Sequence, residues 1–321
     1  MSSTITLNKH LTKLTRLNRA NTAYGKAPHK PVLLISIIEL IEKGLVTKNR
    51  IYVNTDLVAV FQENWRLLVN TLHQSDFTQP FYYLQSEKVE GQQIWFLQAK
   101  LGCQINAHIK SLTRLSEVLA YAYFSDTLYL LLTDPVSRNV IKSVLLDTYF
   151  PDTKQHYIQS KQKGEGYIHD LESYLLNEPE SEYRTIKIET EEDVFVRSGL
   201  FKKLVPKVYD STCSFTGMRL ESTFGHTFID ACHIVPFSIS HDDKVNNGIA
   251  LCPNLHRAFD RGLVSIDNSY RIIVSSHVAE NDNHPYSLKQ LEGRKMRLPF
   301  GSRYYPSLEN LDWHRREIFK S

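Results

Sequence analysis

The chain has 321 residues, of which 42% are hydrophobic, and its formal net charge is +3 at pH 7. This length predicts about two domains of roughly 150 residues each, and this composition excludes a wholly disordered chain. No run approaches the ~20 apolar residues of a membrane span, the N-terminus lacks the apolar core of a signal peptide, and the cysteines show no disulfide spacing, so we expect a cytoplasmic protein without membrane contact.

The stretch from Met1 to Lys30 contains basic side chains and no Asp or Glu. Leucines recur at helical spacing over residues 7–20, which predicts an amphipathic helix. Lys9, Lys13 and Arg16 fall together on another face of that helix. A face of one charge sign suits phosphate contact, although an ordinary solvated helix face explains the same pattern.

The next apolar run, residues 31–44, predicts a second helix. Pro31 suits the first turn of a helix, and Gly44 suits its C-terminal end. The residues between them are apolar on nearly every face, so this helix should be buried. His29 and Lys30 lie at its N-terminal end, where free N–H groups favour anions; a purely structural turn is the alternative.

Two aromatic-rich segments, residues 79–85 and 92–98, predict a hairpin with its turn at residues 90–91. Residues 112–149 have a helical pattern in which Asp134-Pro135 opens the last helix. The segment 79–85 could form either an apolar pocket or an edge of the core, and the side chains concerned are Pro80, Phe81 and Tyr83.

Residues 178–193 are rich in acidic residues and poor in hydrophobic pattern, which is typical of a linker. They predict one domain over residues 1–177 and a second over 194–321. In the second domain the pattern predicts, in order, a helix over 194–209 interrupted near Pro206, strands over 227–234 and 248–252, a helix over 254–261 and a hairpin over 263–274.

One stretch, residues 228–267, holds His233, Asn247 and His256 on two predicted strands, a loop and a short helix. Thirteen residues separate the first two and eight separate the last two. With the flanking sequences ACHIVPFS and NNGIALCPNLHRAFDRG, residues 197–274 resemble the HNH endonucleases, whose active site is a ββα-metal finger.

This resemblance implies the hydrolysis of phosphodiester bonds in DNA with the help of a divalent metal, Mg²⁺ or Mn²⁺. It makes His233 the general base, because a neutral imidazole accepts a proton near pH 7. It makes His256 a metal ligand, and Asn247 the residue that braces the loop or orients the base. Arg257 and Arg261, on the motif helix, could hold phosphates or be ordinary surface arginines.

Two positions depart from the HNH pattern. Cys232 stands where many members carry a metal-binding Asp or His, and a thiolate is a poor ligand for Mg²⁺. We therefore expect Asp230 to be the second ligand. Cys213 and Cys252 are each followed three residues later by a residue that is not cysteine, so we expect no structural zinc.

The first domain has a basic first helix and contains the sequences APHKP, QPFYYL, IWFL and DPVSRNVIKSVLLDTYFP. With these features it resembles the sulfur-binding domains that precede HNH modules in restriction enzymes and recognise phosphorothioate-modified DNA. The resemblance spans residues 11–151. It implies that Pro80 contacts the sulfur, that His29 and Lys30 form a His–basic pair, and that Tyr83 and Phe81 help to line the pocket. Arg16 and Arg19 would then hold flanking phosphates.

Together these features predict an α+β protein, with an N-terminal mixed helical/β DNA-reading domain followed by a C-terminal ββα-metal HNH nuclease domain. The expected function is that of a modification-dependent, type IV-like restriction endonuclease acting on double-stranded DNA, with a homodimer as the simplest way to cut both strands. The alternatives are an HNH nuclease that reads a modified base, and a DNA-binding protein with an inactive HNH fold.

Overall fold

The computed structural model describes residues 2–164, 166–176, 178, 190–222, 227–281 and 284–321. Within these residues the chain forms two compact units, the first of residues 2–170 and 190–196, the second of residues 171–176, 178 and 197 onwards. Most of the predicted linker lies outside the described residues. Its last three residues, however, form the first turn of a helix that begins at Glu191.

The first unit mixes helices with short antiparallel strands, as the sequence predicts at the level of fold class. Each strand pair is two-stranded: β1 with β2, β3 with β4, and β5 with β6. Its elements are α1 (Ser2–Leu14), β1 (Asn21–Thr22), β2 (Gly25–Lys26), α2 (His29–Glu42), α3 (Thr55–Leu68), α4 (Thr78–Tyr83), β3 (Lys88–Val89), β4 (Gln92–Gln93), β5 (Trp95–Ala99), α5 (Leu112–Val118), β6 (Leu119–Phe124), α6 (Asp126–Thr133), α7 (Pro135–Tyr149) and α8 (Lys154–Lys163).

Helix α2 is the centre of this unit. Every side chain from His29 to Leu40 is buried, which confirms the expectation of a helix covered on all sides. Gly44 follows the helix with a φ of +69°, a conformation that a residue without a Cβ adopts at little cost. Helix α7 begins as predicted, because the Asp134 side chain accepts a hydrogen bond from the Ser137 N–H.

The prediction for residues 79–85 was wrong. They form α4 and a following 3₁₀ turn instead of a strand, while the predicted turn at residues 90–91 joins β3 to β4. The strand that pairs with β5 is β6, which lies inside the region predicted to be wholly helical. A short apolar run fits a half-buried strand and a half-buried helix equally well, so its periodicity could not separate them.

The second unit contains a ββα arrangement followed by a second hairpin and a terminal helix. Strand β7 pairs antiparallel with β8, and β9 with β10. Across the described residues, no helix combines the length and the apolar character needed to cross a membrane. Two helices, α9 (Tyr167–Leu175) and α10 (Glu191–Val208), each contain residues of both units. The remaining helices and strands of the second unit are β7 (Asp230–His233), α11 (Phe237–Ser240), β8 (Gly248–Leu251), α12 (Pro253–Asp260), β9 (Val264–Ile266), β10 (Ile272–Val274) and α13 (Leu308–Glu317).

Candidate active site and surface groove

The β7–β8 hairpin and α12 place the three motif residues in the order that the sequence predicts. His233 ends β7 opposite Gly248, the first residue of β8, and Asn247 directly precedes it. His256 lies in the middle of α12. A Cβ on Gly248 would lie 2.6 Å from a methyl carbon of Val205, so only glycine lets α10 approach the hairpin this closely.

Asn247 braces the loop between β7 and β8. Its side chain is fully buried and accepts a hydrogen bond from the Val235 N–H at 3.0 Å. Its Nδ2 donates to the carbonyl oxygens of Val235 and Asp242, at 3.0 and 2.9 Å. Its Oδ1 also accepts a hydrogen bond from Asn310 Nδ2 on the C-terminal helix at 3.0 Å. These partners fix the loop, and none of them is His233, so the geometry favours the bracing role.

The His233 ring is held by residues that the motif does not contain. Its Nε2 lies 2.7 Å from Asp243 Oδ1, and its face stacks on Phe201 with 3.9 Å between ring centroids. The buried Asp243 carboxylate also forms an ion pair with Arg197, whose Nε lies 2.8 Å from Oδ2. A carboxylate at Nε2 favours the tautomer with its proton there, which leaves the lone pair of Nδ1 to accept a proton.

Sequence reasoning missed Asp243, Arg197 and Phe201. Asp243 stood in a loop that reads only as polar, and the other two lie on a helix more than thirty residues before His233. The only available signal was a pair of adjacent aspartates, residues 242–243, shortly before Asn247.

The candidate metal site lies on α12 and the adjacent end of β7. Among the described residues, the ligand-type atoms of Cys232, His256 and Asp260 lie within 4.8 Å of one another. The expected second ligand, Asp230, is not in this set. Its Oδ2 lies 3.2 Å from His256 Nδ1, whereas Asp260 Oδ2 lies 3.4 Å from Nε2. The two carboxylates thus flank the imidazole at its two nitrogens, and Asp260 lies one helical turn after His256.

Cys232 is fully buried beneath this site. Burial, together with the nearby Asp260 carboxylate, raises the pKa of the Cys232 thiol well above its ordinary value. The neutral thiol donates to Asp260 Oδ1 at 3.7 Å. The ligands open to a cation are then an imidazole nitrogen and carboxylate oxygens, which fit Mg²⁺ or Mn²⁺ completed by water.

Cys213 and Cys252, the two other cysteines of this unit, lie within hydrogen-bonding distance of each other. Cys252 and Thr216 make hydrogen bonds that lower the pKa of the Cys213 thiol. Thr216 and Leu255 occupy the positions where a four-cysteine zinc site would have its second and fourth ligands, and neither supplies a thiolate.

Arg257 and Arg261 are exposed, and neither forms an ion pair with any described residue. Their predicted contact with phosphates stays a prediction.

The first unit carries a groove of about 1160 Å³. The structure brings most of the predicted DNA-binding and sulfur-binding residues together there. Those that line it are Arg16, Arg19, His29, Lys30, Pro80 and Tyr83, joined by Lys26, His108, Lys110 and Tyr149, which the sequence did not single out.

Phe81 does not line the groove, contrary to expectation. Its side chain is fully buried and packs between Phe77 and Trp95, with 5.3 Å between ring centroids on each side. Successive residues of a helix point in different directions, so the turn that brings Pro80 to the groove sends Phe81 into the core.

The surroundings of His29 and Lys30, the predicted His–basic pair, reduce the positive charge that the two residues present. Burial lowers the pKa of His29, whose Nε2 lies 3.0 Å from the Gln74 carbonyl oxygen, so the ring is neutral near pH 7. Lys30 forms an ion pair with the buried carboxylate of Glu87, 2.5 Å away. The basic face of α1 is also partly neutralised, because Lys9 pairs with Glu90 and Lys13 with Glu87, at 2.7 and 2.6 Å.

Three comparisons relate this chain to known proteins. Residues 213–267 match the family model of the HNH endonucleases (HNH_2). The type IV methyl-directed restriction enzyme EcoKMcrA of Escherichia coli (strain K12) is 27% identical over 84 residues, which are 26% of this chain and 30% of that enzyme. The chain thus aligns with less than a third of the length of this curated relative.

Among solved structures, the modification dependent TagI restriction endonuclease aligns with a TM-score of 0.31 and 24% identity, over 38% of this chain and 39% of that one. The family match covers the β7–β8 hairpin, α12 and all three motif residues. Residues 213–267 therefore form an HNH endonuclease domain.

Proposed function

We propose that this protein is a modification-dependent, type IV-like DNA endonuclease whose first unit reads a backbone phosphorothioate and whose HNH domain hydrolyses a phosphodiester bond nearby. One observation carries the proposal. Within the HNH domain, His233 has a carboxylate at Nε2 and its Nδ1 available, while His256 and Asp260 offer a metal-binding pair on α12.

The chemistry follows from these side chains. His233 Nδ1 accepts a proton from a water molecule as the water oxygen attacks phosphorus. The bond from phosphorus to the 3′ oxygen breaks, and that oxygen takes a proton from solvent. His256 and Asp260 would hold the divalent ion, which supplies Lewis-acid stabilisation of the charge on the departing oxygen. Asp243 stabilises the imidazolium that forms at His233.

A substitution at His233 tests this assignment. His233→Ala is expected to abolish cleavage, since general-base catalysis contributes about 10²- to 10⁴-fold, and to leave DNA binding unchanged. Retained cleavage would remove His233 as the base. If the HNH fold were inactive, the wild type would also bind DNA without cutting it. The wild type must therefore cleave DNA in the same assay.

The groove in the first unit supports the reading of a phosphorothioate. Arg16 and Arg19, which offer charge to phosphates, line the same groove as Pro80, which is largely buried and contributes an apolar part of the wall. Sulfur in place of a non-bridging oxygen is larger and less hydrated, so an apolar wall favours it. His29 also lines the groove, and its ring lies against Trp65 with 4.6 Å between centroids.

The second candidate target is a modified base. The volume of the groove and the presence of Tyr83 and His108 favour it, since a flipped base needs a pocket with aromatic surfaces. The relative EcoKMcrA is named as methyl-directed, which makes a methylated base the natural comparison.

Matched plasmids distinguish the two targets. One plasmid carries phosphorothioates, one carries methylated bases and one is unmodified, and each is incubated with the protein in Mg²⁺ or Mn²⁺. We expect cleavage of the phosphorothioate plasmid alone. Cleavage of the methylated plasmid alone would establish the second candidate, and equal cleavage of all three would contradict modification dependence.

Pro80 is the residue that tests the sulfur contact. Pro80→Ala should reduce the ratio of affinities for sulfur-bearing and ordinary duplexes, because it removes an apolar surface at the predicted contact. Pro135→Ala, at the exposed first turn of α7 and away from the groove, serves as the control. An unchanged ratio in Pro80→Ala would place the sulfur pocket elsewhere.

We also propose that cleavage of both strands involves a homodimer, since each chain has one HNH domain. Sedimentation with bound duplex measures this; a monomer that makes double-strand breaks at low concentration would contradict it.

A further inference from the structure

We infer that Glu87 and Tyr149 are positioning residues that hold the loop of residues 15–20 in the shape that contacts DNA. The inference rests on the proposed DNA-binding function of the groove. This loop follows α1 and carries Arg16 and Arg19, and all six of its residues line the groove. Glu87 belongs to none of the motifs recognised in the sequence, and no role was assigned to Tyr149 there.

Glu87 is a fully buried carboxylate at the point where three segments meet. It forms ion pairs with Lys13 of α1 and Lys30 of α2, at 2.6 and 2.5 Å. Its Oε1 also accepts a hydrogen bond from the Asn18 N–H at 3.0 Å. One side chain therefore fixes the end of α1, the start of α2 and the backbone of the loop.

Tyr149, the last residue of α7, holds the loop at Leu17, one residue before the Asn18 amide that Glu87 binds. Its hydroxyl accepts a hydrogen bond from the Leu17 N–H at 3.0 Å and donates one to the Leu14 carbonyl oxygen at 2.7 Å. Burial raises the pKa of this phenol, so it remains protonated and able to donate. The Arg19 guanidinium lies 4.5 Å from the centroid of the same ring.

The two side chains thus bind consecutive backbone amides, those of Leu17 and Asn18, between the two arginines. Fixing the backbone here removes conformational freedom that DNA binding would otherwise have to remove. An arginine on each side of the fixed segment is then directed to a defined phosphate position.

The alternative is that Glu87 only neutralises two lysines that are partly or wholly buried. The two explanations predict opposite effects on DNA affinity. If charge alone mattered, removing an anion near the groove would strengthen binding to the polyanion. If Glu87 positions the loop, removing its charge weakens binding, because Lys13, Lys30 and the Asn18 amide lose their common partner.

The test compares Glu87→Gln, Tyr149→Phe and Glu90→Gln with the wild type, by fluorescence anisotropy on a short phosphorothioate duplex at two salt concentrations. We expect the first two to lower affinity by about tenfold or more. Tyr149→Phe loses both hydrogen bonds to the loop, and Glu87→Gln loses the charge that pairs with Lys13 and Lys30. Glu90→Gln is the matched control. It removes the same charge from an exposed site paired with Lys9, and its affinity should be equal to or higher than that of the wild type.

Thermal unfolding of each variant accompanies the titrations. Wild-type affinity or tighter binding by a folded Glu87→Gln would overturn its positioning role, and undiminished affinity in Tyr149→Phe would overturn that of Tyr149. If Glu87→Gln does not fold, the test of the positioning role depends on Tyr149→Phe alone. That variant keeps the ring beneath Arg19 and changes no charge. A wild type that binds neither modified nor ordinary duplex would instead contradict the proposed function of the groove.

Discussion

His233 is positioned by a buried acid and an aromatic ring. The Asp243 carboxylate accepts a hydrogen bond from Nε2 of His233, and Phe201 stacks on the face of the imidazole ring. Arg197 forms an ion pair with Oδ2 of Asp243. These contacts determine which ring nitrogen faces outward. Residues outside the three-residue motif therefore set the orientation of the proposed base.

Asp243→Asn should lower the rate of cleavage by about 10- to 100-fold with little change in DNA affinity. The asparagine amide can present its NH₂ group to Nε2, and this would favour the tautomer with the proton on the wrong nitrogen. Single-turnover cleavage and anisotropy measure the two quantities. Asp242→Asn is the control, because the Asp242 side chain accepts only from the Lys244 N–H in the loop and asparagine can do the same.

A wild-type rate in a folded Asp243→Asn would contradict the role of Asp243. Because Arg197 would lose its partner in this variant, the unfolding temperature should be measured alongside the rate.

The two aspartates beside His256 should differ in their effect on metal binding. Asp260→Ala should remove most of the Mn²⁺ affinity, because Asp260 shares the ligand set with His256. Asp230→Ala should weaken it by no more than about 10- to 100-fold, as expected for a residue that orients a ligand. Isothermal titration calorimetry with the full chain measures both. A larger loss in Asp230→Ala would reverse the assignment.

At the scale of elements, the end of α12 is fixed by close contact with the C-terminal segment. Gly262 has a φ of +70°, and a Cβ at this position would lie 2.0 Å from the Ile318 carbonyl oxygen. The Lys320 N–H donates to the Gly262 carbonyl oxygen at 3.0 Å. The helix that carries His256 and Asp260 is thereby anchored beyond its last turn.

Gly262→Ala should therefore lower the free energy of unfolding by about 3 kcal/mol or more, combining left-handed backbone strain with a backbone clash. Gly293→Ala is the matched control, since Gly293 has a φ of +71° and nothing within 4 Å of its would-be Cβ. It should cost only about 1 kcal/mol. Chemical denaturation measures both, and equal losses would show that the contact with Ile318 is easily relaxed.

At the scale of the whole molecule, a buried histidine should make stability depend on pH. His314 stacks on Phe259, with 3.7 Å between ring centroids, and its ring nitrogens contact Ser265 and the Phe259 carbonyl oxygen. Burial lowers its pKa to about 4. The folded state therefore holds this ring neutral at a pH where the unfolded chain protonates it.

The stabilisation from His314 is present above the unfolded pKa of ~6.5 and is lost as pH falls from there towards 4. The loss should reach about 3 kcal/mol at the acid end. Denaturant unfolding at several pH values, compared with His314→Gln, isolates this contribution from that of other groups. A wild type and a variant with the same pH dependence would contradict it.

The sequence by itself determined the mixed fold class, the buried α2, the start of α7 and the order of strand, strand and helix around His233, Asn247 and His256. Each of these depends on periodicity, capping residues or motif spacing, which are local properties of the chain. Most of the residues that it singled out for DNA and sulfur binding line the groove, although Phe81 turned inward and α4 replaced a predicted strand.

Only the tertiary structure decided which groups act together. Asp243 and Phe201 reach His233 from a loop and from α10, and Asp260 lies close to Cys232 and His256 in a cluster that could hold a metal ion. Likewise Glu87 pairs with lysines that lie more than fifty residues earlier in the chain. Such partners are determined by side-chain direction and by packing between distant segments. Neither produces a periodic pattern in the sequence.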